Sequence, residues 1–244
     1  DAREFVDHST RLLFDRHRFT LHDNRLRHSG LQSDKAPDRY TTSQASSESL
    51  AGHRHTQPDL ALVEAGAYEE YSADGVYRCQ AGVAVIHPPW HWHGNTFTGC
   101  GVHVTNVTLP WADRYGVFAL DNRHFAYARQ LSDAIELLRL VRVEGRPVSA
   151  RWGRSVVQEM AETLRDDPDQ RIDEVARSVG MSPEHAARQF RRHVGMTPAA
   201  YRSEHRFRRA MRLLCRGTDA IDVAVQCGYS DQSHLCRIVK AATS

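Results

Sequence analysis

The sequence predicts an α+β protein in two parts, a strand-rich N-terminal domain and an all-helical C-terminal one. Three observations carry this. Between Leu50 and Leu109 short apolar runs are separated by turn residues. From His124 onward the apolar residues recur at helical spacing. Near the C-terminus one helix-turn-helix pattern occurs twice, 48 residues apart.

In chain order, Arg3 to about Arg27 is mixed, with a strand pair expected around Leu12–Phe14 and Arg18–Leu21. Ser33–Ser49 has Tyr40 as its one large apolar residue and is rich in Ser, Thr, Gln and Asp, so it reads as a long loop. Next come Leu60–Val63, Gly66, Asp74-Gly75, Val83–Ile86, Pro88-Pro89 and Val102–Val107. Many short strands with this punctuation predict a small antiparallel barrel or sandwich. One helix is expected from His124 to Val143, with Tyr127, Leu131, Ala134, Ile135 and Leu138 on its apolar side. A second is expected from about Ser149 to Leu164, carrying Trp152, Val156, Val157, Met160 and Leu164. Asp166-Asp167-Pro168-Asp169 then stops it and forms a linker.

The remainder contains the repeat. Ile172 to Ser178 has the spacing of a short helix, and Gly180 can take the left-handed conformation that ends it. Ser182 then caps a second helix that starts with Pro183. The arrangement returns with Val223, Ala224, Gly228 and Ser230 in the places of Val175, Ala176, Gly180 and Ser182. With one extra residue after the second cap, Arg237 matches Arg188. Repetition of the same turn chemistry is far more specific than one occurrence. Between the units Pro198–Arg216 reads as a helix of about 19 residues, roughly 28 Å long at about 1.5 Å per residue. That is near the roughly 34 Å between successive major grooves on one face of B-DNA.

Charge agrees with this division. Residues 171–244 carry 13 Lys and Arg against 7 Asp and Glu, a net of +6. The other 170 residues carry 19 against 23, a net of −4. A basic segment beside a mildly acidic one points to a polyanion-binding end and a different task for the other. The five cysteines, Cys79, Cys100, Cys215, Cys227 and Cys236, include no C-x-x-C, so neither a disulfide framework nor a structural zinc module is expected. With no apolar run of membrane-spanning length and no secretory leader, the expected compartment is the cytoplasm, at the nucleoid.

Gly228-Tyr229-Ser230-Asp231-Gln232-Ser233-His234-Leu235-Cys236-Arg237 resembles the signature of the second unit in AraC/XylS-family transcriptional regulators. Gly195-Met196-Thr197-Pro198-Ala199-Ala200-Tyr201-Arg202 resembles that family's junction into the connecting helix. The resemblance covers about Arg171–Ser244. It implies sequence-specific binding of double-stranded promoter DNA, usually in an activator acting on RNA polymerase. Carried over by position, base contacts fall to Glu184, Ala187 and Arg188 in the first unit and to Gln232, Ser233, Cys236 and Arg237 in the second. Phosphate contacts fall to Arg191, Arg192, Arg206 and Lys240. Phe190, Leu213 and Leu214 are expected in the core. Two departures stand out: Val239 occupies the place of Phe190, where the family usually has an aromatic, and the chain ends at Ser244, where the family continues into a closing helix.

The strand region resembles the cupin-like barrel with which many members of the family sense an effector. His53-Arg-His55-Thr-Gln-Pro-Asp59 is similar to the first cupin motif, with Asp for Glu, and Gly82–His93 to the second. The pattern admits a divalent metal, such as iron or manganese, on His53, His55 and His93. Without a metal, Trp90, His91, Trp92 and His93 are expected to line the mouth of a pocket for a small-molecule effector, with ordinary barrel packing as the alternative for Trp90 and Trp92. The resemblance thus implies a cupin-like effector-sensing barrel at 1–122, helices at 123–166 that dimerise the protein, and a double helix-turn-helix domain, apparently shortened, at 167–244. No enzymatic activity is expected. Two other readings compete: a metal-dependent cupin enzyme with a helical appendage, and an interaction module that has lost DNA binding through the shortened C-terminus.

Overall fold

The computed structural model describes residues 39–44, 49–97, 99, 101–151 and 155–243. The expected strands at Leu12–Phe14 and Arg18–Leu21, and Trp152 and Cys100, lie outside them. The chain divides into two compact units, one holding Ser33–Gly153 and the other Arg154–Arg192 with Met196–Ser244.

The first unit is built from antiparallel strands: β1 (Arg39–Gln44), β2 (Ser49–His53), β3 (Asp59–Ala65), β4 (Ala67–Ser72), β5 (Gly75–Gln80), β6 (Val83–His87), β7 (His93–Phe97), β8 (Val102–Thr108), β9 (Gly116–Ala119) and β10 (Arg146–Pro147). They form two sheets, a six-stranded one in the order β1-β8-β3-β6-β9-β10 and a four-stranded one in the order β2-β7-β4-β5. The inner faces meet over Ala61, Val63, Tyr68, Cys79, Val83, Val85, Phe97, Val102, Val104 and Val117. The alternation of strand side chains puts Leu60, Leu62, Ala84, Ile86 and Val107 on the other face of the larger sheet. Two helices, α1 (Asn122–Gln130) and α2 (Ala134–Glu144), cover that face with Ala128, Leu137, Leu138 and Val141. Both faces of the larger sheet are therefore buried, which is why β3 and β6 read as unbroken apolar runs.

Two sequence expectations change here. β1 lies inside the stretch read as a loop, paired residue for residue with β8 from Arg39↔Val107 to Gln44↔Val102. It is an edge strand and offers little apolar surface, so hydrophobic patterning passed over it. Thr41 and Thr105 join across the pair by a 3.2 Å hydroxyl hydrogen bond, which gives the polar strand a side-chain reason to pair. The single helix expected at His124–Val143 is two. Asp133 breaks it and caps α2, its carboxylate accepting from Ile135 N at 2.8 Å and Glu136 N at 2.9 Å. The break rotates the stripe, so Leu137, Leu138 and Val141 go inward while Tyr127 and Ile135 face out.

The second unit contains α3 (Ser155–Asp166), α4 (Ile172–Ser178), α5 (Pro183–Val194), α6 (Pro198–Cys215), α7 (Ala220–Gln226) and α8 (Gln232–Thr243). Helix α3 packs on α4 and α6 through Val157, Met160, Ala161 and Leu164, all fully buried. Thr197 caps α6 by accepting from Ala200 N at 3.2 Å, with Pro198 at the first helical position. The inward stripe of α6 is Tyr201, Phe207, Ala210, Met211 and Leu214. Leu213 is half-buried at its margin. Glu204 is also buried, with its carboxylate 2.8 Å from Arg208 Nε. No helix among the described residues is long and apolar enough to cross a membrane.

Candidate functional sites: the reading helices and a buried histidine cluster

The helical unit presents two helix-turn-helix elements. In the first, α4 ends at Gly180 with φ +72, and Ser182 Oγ accepts from His185 N at 3.2 Å to start α5. In the second, α7 ends at Gly228 with φ +69, but the cap is Asp231 rather than Ser230, accepting from His234 N at 2.7 Å. The extra residue therefore sits in the turn before the cap. From the caps onward the helices superpose at an offset of 49, which places Arg237 on Arg188.

Helix α5 turns Ala186, Phe190 and Val194 inward, and Phe190 meets Tyr201 edge-on with ring centroids 5.1 Å apart. Its outward side shows Glu184, Arg188, Arg191 and Arg192, with Ala187 half-buried between them. On α8, Leu235 goes inward, Ser233, Arg237 and Lys240 are exposed, and Gln232 and Cys236 are half-buried. Val239, half-buried, gives the second element less apolar closure than Phe190 gives the first, and Ile238 is partly exposed. Arg188, Arg191, Arg192 and Arg237 are exposed, which puts their guanidinium groups within reach of a polyanion. Arg206 departs from this set. Its guanidinium is taken up inside the protein, donating to Pro168 O at 3.0 Å and pairing with Asp169.

In the first unit the inward residues change character along the strands. From one end, β3 contributes Asp59, Ala61 and Val63, β6 contributes His87, Val85 and Val83, and β7 contributes His93 and then Phe97. Glu70 and Tyr68 follow the same order on β4. One end of the interior is thus apolar and the other rich in histidine and carboxylate.

Strand register assembles that polar end. His53 of β2 stands opposite His93 of β7, and Asp59 of β3 opposite His87 of β6. His53, His55 and His93 each offer one ring nitrogen, and these lie within 4.8 Å of one another. The Nδ1 of His53 donates to Ala51 O at 2.9 Å and the Nδ1 of His93 to His91 O at 3.3 Å. Both backbone bonds fix the tautomer and leave a bare Nε2, as metal-binding histidines require. Burial holds His53 and His55 below the usual imidazole range. Burial, then the neighbouring His87 and the other three rings, pushes His93 well below it. Three neutral imidazoles, His53 and His93 on paired strands and His55 in the turn after β2, are a donor set that fits a divalent transition metal.

Asp59, the carboxylate of the first motif, serves a different histidine. His87 donates from Nδ1 to Asp59 Oδ2 at 3.1 Å and from Nε2 to Glu70 Oε1 at 3.1 Å. Tyr115 donates to the same Glu70 oxygen at 2.8 Å. Burial opposes a charged ring at His87, but Glu70 and Asp59 outweigh it and raise its pKa to about 10. Both carboxylates, although penalised by burial, are in turn held below their usual range by His87. This group sums to one negative charge beside the three imidazoles, and His87 stacks on His93 at 4.2 Å.

Sequence reasoning did not single out His87, Glu70 or Tyr115. The available signal was Glu70 lying in step with Tyr68 and Ser72 on the inward side of β4, a polar residue at a core position.

The four residues expected at a pocket mouth differ in placement, two buried and two half-buried. His91 and His93 are each 2% exposed, inside the unit. His91 Nε2 donates to Asp74 at 2.8 Å and its ring stacks on Tyr115 at 4.2 Å. Trp92 packs against Tyr71 and over Gly52, where a Cβ would come within 1.9 Å of the indole. Trp90, half-buried, has φ +64, strained for a bulky residue, and is clamped on both sides. Its N–H donates to His55 O and its carbonyl accepts from Arg54, both at 2.8 Å. That clamp joins the turn carrying His55 to the one leading into His93.

Residues 175–244 match a family model described as a helix-turn-helix domain. No curated protein matches the chain. Among solved structures, ToxT from Vibrio cholerae is 8% identical with a TM-score of 0.37, over 84% of this chain and 94% of that one. A cupin-2 domain containing protein from Shewanella frigidimarina is 14% identical with a TM-score of 0.26, over 30% of this chain and 72% of that one. The salicylate 1,2-dioxygenase from Pseudoaminobacter salicylatoxidans is 20% identical with a TM-score of 0.27, over 28% of this chain and 21% of that one. These scores are too low for the likenesses to carry an argument.

Proposed function

We propose that this chain, whose residues 175–244 match a helix-turn-helix domain, is a sequence-specific DNA-binding transcription regulator of the AraC/XylS type with an effector-sensing N-terminal unit. The observation that carries the reading is the pair of matched reading elements, each with a left-handed glycine, a side-chain cap and an outward arginine at the same place. In this reading Arg188 and Arg237 make bidentate contacts to guanine, and Gln232 has the geometry to read adenine. Glu184, Ala187, Ser233 and Cys236 complete the base-reading surface. Arg191, Arg192 and Lys240 bind phosphates, adding affinity without sequence information.

The finer role is that of a cytoplasmic, homodimeric activator that contacts RNA polymerase when a small molecule is bound. The outward Tyr127, Ile135 and Val143 of α1 and α2 supply apolar surface for the dimer contact, each being more than half exposed. His53, His55 and His93 would hold a divalent metal. Bound there, such an ion supplies a Lewis-acidic centre with open positions for an effector. The same three histidines favour the second reading, a metal-dependent enzyme with a helical appendage, which leaves the paired reading elements without a task.

Selection of bound sequences from a random DNA pool, with Arg188→Ala and Arg237→Ala in parallel, tests the assignment. The expected result is a bipartite motif with half-sites about one helical turn apart, each variant losing a different half. Binding indifferent to sequence overturns it.

A further inference from the structure

Arg206 stands where three chain segments meet. It lies midway along α6, half-buried, on the helix that joins the two reading elements. Its Nη2 donates to Pro168 O at 3.0 Å and pairs with the Asp169 carboxylate, while Nη1 reaches Gly228 O at a longer 3.4 Å. Pro168 and Asp169 belong to the loop between α3 and α4, just ahead of the first reader. Gly228 is the left-handed residue on which the second reader turns. The contact is close, since a Cβ on Gly228 would come within 2.8 Å of Asp169 Oδ1 and 3.2 Å of Arg206 Cζ. One turn earlier on α6, Arg202 donates to Gln170 O at 3.3 Å, a second tie between the same loop and the same helix.

A guanidinium is a planar fork with its donors at fixed angles, so acceptors from two segments bound to one arginine are fixed relative to each other. Helix α6 alone fixes the distance between the readers along its axis. The second reader follows α6 through Arg216 and a short turn, and α7 packs back on α6. The Arg206 bridge adds a direct tie from Gly228, where the second reader turns, to the loop ahead of the first.

We infer that Arg206, held by Asp169, is a positioning residue that sets the second reading element against the first and thereby fixes the half-site spacing the protein accepts. This rests on the DNA-binding reading above, and it moves Arg206 from phosphate contact to internal strut. A phosphate contact would require the guanidinium to give up Asp169 and Pro168.

The test is selection from a pool in which two half-sites are separated by spacers of varied length, for the full chain and for Asp169→Ala and Arg206→Lys. Asp169 is exposed, so its loss leaves the core intact. For the unaltered chain one spacing is expected to dominate its neighbours by about tenfold, within the usual range of coupling between sites. In both variants each half-site should still be selected, while the spacing preference flattens to near none. Thermal unfolding of the same variants separates this from a general loss of stability, which would weaken both half-sites together and leave the preferred spacing in place. An unchanged preference in Asp169→Ala overturns the inference. So does tighter, more salt-dependent binding by Asp169→Ala, the signature of an arginine released to a phosphate. If the unaltered chain yields no bipartite motif, it is the DNA-binding reading that fails.

Discussion

Ser182 and Asp231 perform the same task at equivalent places in the two reading elements, each accepting the backbone N–H of the residue three positions on. A hydroxyl and a carboxylate thus cap the second helix of each element, α5 and α8. Ser182→Ala should cost the helical unit about 1 kcal/mol in urea unfolding. Asp231→Ala should lower stability too, whereas Asp231→Ser should restore most of the loss. An Asp231→Ala protein as stable as the parent would show that the second helix starts without this cap.

The two turn glycines should differ in tolerance. Both need positive φ, but nothing lies within 4 Å of a Cβ at Gly180, while Asp169 and Arg206 crowd the one at Gly228. Gly180→Ala should therefore cost only the left-handed penalty, about 1–2 kcal/mol. Gly228→Ala should cost more and should weaken the second half-site selectively. Equal costs by chemical denaturation would argue against the crowding.

Phe190 is fully buried against Tyr201, and its counterpart Val239 is half-buried. Phe190→Ala should cost about 3–5 kcal/mol, as large-to-small changes of a buried aromatic do. Val239→Ala should cost less than half of that. Amide exchange should also report the second element opening more readily than the first, and the reverse order would contradict the packing described.

Added zinc, iron(II) or manganese should raise the unfolding temperature, and a chelator should reverse the shift. An ion at 100 times its dissociation constant adds about 2.7 kcal/mol of stability. His93→Ala should abolish the effect, and His103→Ala, outside the cluster, should keep it. No shift with any of the three ions would leave the histidines as a purely structural polar core.

The His87 network should be costly to cut from either side. Replacing Glu70 with Ala leaves a buried imidazolium with one carboxylate, and replacing His87 with Ala leaves two carboxylates without their cation. Each should cost about 3–5 kcal/mol, the range seen when one partner of a buried ion pair is removed. A joint His87→Ala, Glu70→Ala change should be milder than the two single costs added together, measured as a double-mutant cycle.

Where the sequence was legible, the signal was local. The glycines, caps and apolar spacings of the reading elements act over three or four residues, so their repetition could be read directly. The same held for β3 and β6, whose apolar runs mark strands buried between two layers. Reading failed where a strand was polar, as in β1, and where one aspartate, Asp133, outweighed a continuous helical period. In the histidine cluster His53, His55 and His93 were readable as a pattern, but their partners were not. Asp59, at the carboxylate position of the first motif, faces His87.

The sequence by itself determined the division into strand-rich and helical parts, the paired helix-turn-helix elements and the outward arginines on them, because these follow from propensity, capping and periodicity within a turn or two. Only the tertiary structure decided which carboxylates meet His87, that Trp92 packs over Gly52 rather than lining a mouth, and that Arg206 is a strut between Asp169 and Gly228. Those contacts join residues 17 to 40 apart. Strand register and helix packing bring them together, and neither is specified by any short stretch of the chain.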